Sequence, residues 1–130
     1  MRRLRLVIPM RCASKHEGQE VVRARQRPMK APKSYRDKQD EFRTLVRADP
    51  QLRGISLPIW RGPVGFYAVL YFSDRRRRDL DNLVGFLYDA CSGVLWVDDH
   101  QVYQSGERKI LGHSVDQIVI DIWAYDPLRG

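Results

Sequence analysis

An α+β domain, a single mixed β-sheet covered by two α-helices, is what the hydrophobic pattern of this sequence predicts. Three observations carry that expectation. Apolar residues alternate in four stretches, they recur at helical spacing in two others, and the chain order is strand, helix, strand, helix and two further strands. No internal repeat interrupts it.

Taken in order, Arg3 to Pro9 sets Leu4, Leu6 and Ile8 against Arg3, Arg5 and Val7 and reads as a first strand that Pro9 ends. Residues 10–33 have no period and contain Pro28 and Pro32, so a basic flexible loop is expected there. From Ser34, a candidate cap, Tyr35, Lys38, Phe42, Leu45 and Val46 recur at helical spacing until Asp49 and Pro50 close the segment. Val64, Phe66, Ala68, Leu70 and Phe72 alternate with Gly65, Tyr67, Val69 and Tyr71. Both sets are mostly apolar, which predicts a central strand. Leu80, Leu83, Val84, Leu87 and Cys91 form a second helical stripe, with Gly93 where a stop is expected. After the short apolar run Val94 to Val97, residues Val102 to Leu111 and Val115 to Trp123 read as two strands separated by Gly112.

With 130 residues, 43% hydrophobic and 30% charged, the chain has the makings of one domain with a real core, spanning 1–130, and is too short for a multidomain machine. The net charge of +7 favours polyanionic partners such as nucleic acid. That charge is unevenly spread: residues 1–49 hold 14 Lys/Arg and 6 Asp/Glu, while residues 50–130 hold 9 and 10. A cationic arm beside an acidic site is the arrangement this suggests, with Arg23, Arg25, Arg27, Lys30 and Lys33 expected to meet phosphate. Two cysteines, Cys12 and Cys91, are too few for a disulfide framework or a cysteine zinc site. No apolar run approaches the roughly 18 residues of a membrane span, and Leu6 to Met10 is too short for a signal-peptide core, so a cytoplasmic protein is expected.

The densest feature is Ser73-Asp74-Arg75-Arg76-Arg77-Arg78-Asp79-Leu80-Asp81-Asn82-Leu83, at the end of the central strand. If Asp79 and Asp81 are both extended where the chain enters the helix, their carboxylates point to one side; inside a helix they would diverge by about 200 degrees. The first geometry suits a hard cation, Mg²⁺ or Mn²⁺. For Asp79 alone, helix capping is the ordinary account. Asp98-Asp99 shifts the balance, because a carboxylate from a separate segment can complete a three-carboxylate metal site. A run of four arginines is usually a solvated loop, but beside carboxylates some of Arg75 to Arg78 can hold a phosphate bidentately while others pair with the acids. His16, His100 and His113 are too scattered for zinc, and neither cysteine has a motif partner for nucleophilic work. Trp60, Trp96, Trp123 and Tyr67 could stack on unpaired bases, yet aromatics inside apolar runs are usually core. Trp60, in a loop, is the only one of these that merits a test for DNA contact.

The arginines, then Asp79-Leu80-Asp81-Asn82, Asp89-Ala90, and Trp96-Val97-Asp98-Asp99-His100-Gln101-Val102 resemble, in order and spacing, the RusA-like crossover junction endodeoxyribonucleases of bacteria and their phages. The likeness covers roughly residues 63–125. It implies a Mg²⁺-dependent endonuclease (Mn²⁺ as a substitute) that resolves four-way Holliday junctions, working near the bacterial nucleoid or encoded by a phage. By the same resemblance Asp79, Asp81 and Asp99 are the metal-binding catalytic aspartates, Asn82 supports them, and Lys109 matches a family lysine. Arg75, Arg76, Arg77 and Arg78 would seat the DNA backbone. Cutting two opposed strands asks for a C2 homodimer, with contact from Val64 to Phe72 or Val94 to Val97. The family pattern often carries a lysine one helical turn after its second aspartate, where this chain has Gly85. Lys109, or one of Arg75 to Arg78, then supplies the charge, or the chain binds junctions and cuts them slowly. Rival readings are a non-catalytic DNA-binding module and a nuclease acting on flaps or RNA.

Overall fold

The computed structural model describes residues 1–15 and 34–129. Arg23, Arg25 and Arg27, and most of the expected basic loop, lie outside the described residues.

Strand β1 (Arg3–Ile8) buries Leu4, Leu6 and Ile8 and turns Arg3, Arg5 and Val7 outward, the alternation a half-covered strand requires. Helix α1 (Tyr35–Arg47) opens on a reciprocal capping box. The Ser34 hydroxyl accepts the Asp37 N–H at 3.1 Å and the Asp37 carboxylate accepts the Ser34 N–H at 3.3 Å. Strand β2 (Val64–Tyr71) leads through residues 72–79 into helix α2 (Leu80–Cys91), followed by β3 (Val102–Ile110) and β4 (Gln117–Ala124).

The sheet order is β1-β4-β2-β3, so β2 is central as its two apolar faces require. β4 runs antiparallel to both β1 and β2, whereas β2 and β3 are parallel. Parallel neighbours need a crossover, and α2 provides it. The C-terminal ends of β2 and β3 therefore lie together at the head of α2, the position where open α/β sheets place ligands.

Both helices cover one sheet face. Phe42 and Val46 of α1 and Leu83, Phe86 and Leu87 of α2 share one core with Leu6, Phe66, Leu70 and Ile120. Phe86 takes Phe42 and Tyr35 edge-on, at 6.3 and 5.6 Å between ring centres. Gly85, inside α2, costs the helix about 1 kcal/mol relative to alanine. Each fully buried leucine or phenylalanine returns about 1.5–3 kcal/mol, so packing holds this helix rather than propensity.

Two expectations need correction. Val94, Leu95 and Trp96 are fully buried in this chain's own core, as is most of β2, so of the two runs only Tyr67 and Val97 stand exposed to meet a second copy. Trp60 is also core. It bridges to Trp96 and donates its backbone N–H to the Leu95 carbonyl at 3.0 Å, out of reach of DNA.

Candidate active site

At the head of α2 lies a cleft of about 360 Å³ lined by Arg11, Ser14, Arg76, Arg77, Asp79 and Asn82. Two segments far apart in sequence make its walls. Residues 10–15 run along α2, held by the Lys15 N–H donating to the Asn82 carbonyl at 3.0 Å and the Cys12 thiol directed at the Leu83 carbonyl. The β2–α2 loop forms the other wall, tied to the β3–β4 turn by the Gly112 N–H on the Asp74 carbonyl and the Ser73 N–H on the Asp116 carboxylate at 2.7 Å.

The four arginines divide by role. Arg78 is engaged: its guanidinium grips both oxygens of Asp74, at 2.6 and 2.9 Å, and lies 4.2 Å above the Phe72 ring. That fork holds the Asp74 carboxyl well below the usual carboxylate range, helped by the Arg76 N–H and by Arg11. Arg11 also bridges to Asp116, whose carboxyl is lowered first by the Ser73 N–H and then by Arg11. Arg75 lies against Gly112 in the β3–β4 turn. Arg76 and Arg77 are exposed, line the cleft and have no ion pair among the described residues.

Asp79 is the N-cap residue of α2 by backbone, with extended φ −78 and ψ 125, but its side chain makes no capping hydrogen bond. The ordinary account of this carboxylate therefore fails. Asp81 already stands in the first helical turn, so the two acids straddle the helix start instead of sharing an extended stretch. Lys109, near the C-terminal end of β3, donates from its ammonium to the Arg78 carbonyl, in the loop that leads to Asp79.

Asp99 is elsewhere. It begins the short turn 99–101, and one of its oxygens accepts the Ser92 hydroxyl at 2.8 Å and the Trp96 indole N–H at 2.9 Å. Ser92 caps the C-terminus of α2, and a 12-residue helix is about 18 Å long. One chain thus brings Asp79 and Asn82 to the cleft, sets Asp81 in the adjoining helical turn and Lys109 against the loop that precedes it, and leaves Asp99 at the opposite end of α2. Among the described residues no three His, Cys, Asp or Glu side chains gather into a group able to hold an ion.

Gln101, in the same acidic motif, is buried and structural. It accepts the Val97 and Asp98 N–H groups and donates to the Trp60 and Gly62 carbonyls, clamping two loops with four hydrogen bonds of 2.7–3.0 Å. Asp98 caps the turn and meets the exposed His100; the His100 N–H keeps its carboxyl below the ordinary range. Both cysteines are buried, and burial pushes the Cys91 thiol up, which suits neither to attack. Sequence reasoning missed Arg11 and Lys15. Nothing in their local pattern marks them, because their partners lie some 60 to 100 residues away.

Acids and cations thus gather at the mouth of a βαβ unit. Residues 14–123 match the family model of Endodeoxyribonuclease RusA, and the chain belongs to that family. The family is one of divalent-metal-dependent nucleases directed at Holliday junctions, and membership makes this chain an endodeoxyribonuclease. No curated relative matches the chain. No helix among the described residues is long and apolar enough to cross a membrane.

Proposed function

We propose that the chain is a Mg²⁺-dependent endonuclease, with Mn²⁺ as an alternative ion, that resolves four-way DNA junctions by phosphodiester hydrolysis leaving 5′-phosphates. One observation carries the reading: the Asp79 carboxylate, at a position where aspartate ordinarily caps, makes no capping hydrogen bond and has no ion pair among the described residues, and it lines a cleft walled by Arg76 and Arg77.

Carboxylate oxygens are the donors that Mg²⁺ and Mn²⁺ prefer, so Asp79 and Asp81 fit such an ion. When bound, a divalent ion supplies a water of lowered pKa and a Lewis acid for the phosphate. The chain's own residues do the rest. Arg76 and Arg77 seat the scissile phosphate, Asn82 offers an amide from the cleft wall, and Lys109 adds positive potential where charge develops on the leaving oxygen. Arg78 and Arg11, paired with Asp74 and Asp116, hold the loop that carries them.

Asp99 joins this site only across a subunit boundary, since about 18 Å of helix separates it from Asp79 within one chain. A C2 homodimer supplies it from the second copy and offers two sites to a junction that is itself nearly two-fold symmetric. The test is nicking of a synthetic four-way junction with and without Mg²⁺. Asp81→Asn protein should bind the junction and leave it uncut, and cleavage that survives either chelator or this substitution would overturn the metal assignment. Competition among junction, flap, duplex and RNA ranks the substrates.

A further inference from the structure

The face of the sheet opposite the helices is covered by no described element, and on it two aromatic rings lie over strand glycines. The Trp123 indole of β4 lies over Gly65 of β2, where a β-carbon would stand 2.2 Å from its Nε1 and Cε2. The Tyr67 ring of β2 lies over Gly106 of β3, where a β-carbon would stand 2.8 Å from its Cδ2. A strand-interior glycine forgoes packing and marks a place where another group must approach closely. Two of them, on neighbouring strands and in successive cross-strand rows, let both rings recline in the same direction.

Cations border these rings on both sides. Arg3 holds its guanidinium 5.7 Å from the centre of the Trp123 ring, and Arg5 joins Arg3, Tyr67, Asp121 and Trp123 around a shallow depression of about 610 Å³. On the other side Arg108 of β3 is exposed, opposite Val69. Three arginines against the one carboxylate of Asp121 leave this face positive, a surplus that a polyanion neutralises and a second copy would double. Flat aromatic faces beside arginines are the means by which proteins hold unstacked bases and their phosphates.

We propose that this sheet face binds unpaired nucleotides, with Trp123 and Tyr67 stacking on bases and Arg3, Arg5 and Arg108 meeting phosphates. The inference rests on the nuclease reading and extends it. Trp123 stands opposite Gly65, six residues along β2 from Tyr71 and about 20 Å from the cleft end of the strand, so the face is a second contact remote from the chemistry. It would take the strands exposed where a branch point opens.

Trp60 and Trp96 are buried, so Trp123 dominates the fluorescence that solvent and ligand can reach. A thymidine oligonucleotide of about 12 residues, within the usual span of one such module, is titrated against the full chain. Saturable quenching is expected, with affinity about tenfold weaker in Tyr67→Leu and near wild type in Tyr67→Phe, which keeps the ring and controls for folding. Arg3→Gln with Arg5→Gln should shallow the salt dependence by about 0.7 in log–log slope per lost contact. Unchanged emission, or equal affinity in Tyr67→Leu and wild type, overturns the proposal. Emission that changes with protein concentration alone and is indifferent to oligonucleotide also overturns it, in favour of a self-association face. Asp81→Asn protein should be quenched like wild type, so failure of the nuclease reading and failure of this one are separate results.

Discussion

The side chain of Lys15 lies across the bare backbone of Gly85: a β-carbon built on that glycine would stand 3.1 Å from Lys15 Cδ. Gly85 is the position one helical turn past Asp81 at which the resemblance to the family expects a lysine. Here a lysine reaches the same stretch of helix from 70 residues earlier in the chain, its ammonium 4.0 Å from Asp89. Lys15→Met is expected to lower junction cleavage by about tenfold, the scale on which general catalytic contacts of about 1.4 kcal/mol operate. Gly85→Lys in that background should restore it, and in wild type should add little because the two stems compete for one space. Single-turnover rates on a labelled junction decide this, and an unaltered rate in Lys15→Met would remove the residue from the site.

If Asp99 serves the other subunit, two dead proteins should make a live one. Asp81→Asn and Asp99→Asn chains, each inactive alone, form on mixing a heterodimer with one intact set of acids and one doubly damaged set. Nicking should return on mixing. Sites confined to single chains would leave the mixture inactive.

Arg76 and Arg77 should behave differently from Arg78. Changing either of the first two to glutamine should shallow the salt dependence of DNA binding by about 0.9 in log–log slope per duplex phosphate contact, with little effect on stability. Arg78→Gln strips Asp74 of its fork and Phe72 of its cation, so its first effect should be a lowered melting temperature. Equal salt slopes across all three variants would contradict the division.

Asp74 and Asp116 both titrate below the ordinary carboxylate value in the fold. A depressed folded pKa contributes stability above the unfolded value of about 4, and that contribution is lost as pH falls through the folded value. Melting temperature should hold level from neutral pH to about 5 and fall below about 4. Asp74→Asn combined with Asp116→Asn should start lower and lose less over the same acid range.

Gln101→Leu keeps volume and removes four hydrogen bonds, leaving the Val97 and Asp98 N–H groups and the Trp60 and Gly62 carbonyls without partners. A loss of about 3 kcal/mol is expected in urea unfolding. The metal-dependent chemistry should survive in the fraction that folds. A loss under 0.5 kcal/mol would mean that water replaces the clamp.

Much of the fold was legible in the chain because the signals are local. The alternation of Leu4, Leu6 and Ile8, the Ser34 cap and the stripe from Leu80 to Cys91 each report, within one turn or one pleat, which side of a segment is apolar. The arginine–aspartate motif was legible for the same reason, and with it the family. Partners were not, because periodicity tells that a side is buried without telling by what.

The amino-acid sequence alone determined the element order, the placing of β2 at the centre and the crowding of arginines and aspartates at the head of α2. Only the tertiary structure decided that Asp99 stands a helix length from Asp79, that Arg78 is consumed by Asp74, and that Lys15 crosses Gly85. It likewise decided that Trp60 is core while Trp123 and Tyr67 lie on the outer face of the sheet. The reason is physical: distances between segments are set by how helices and strands pack, and a contact between residues 15 and 85 leaves no mark on the neighbours of either.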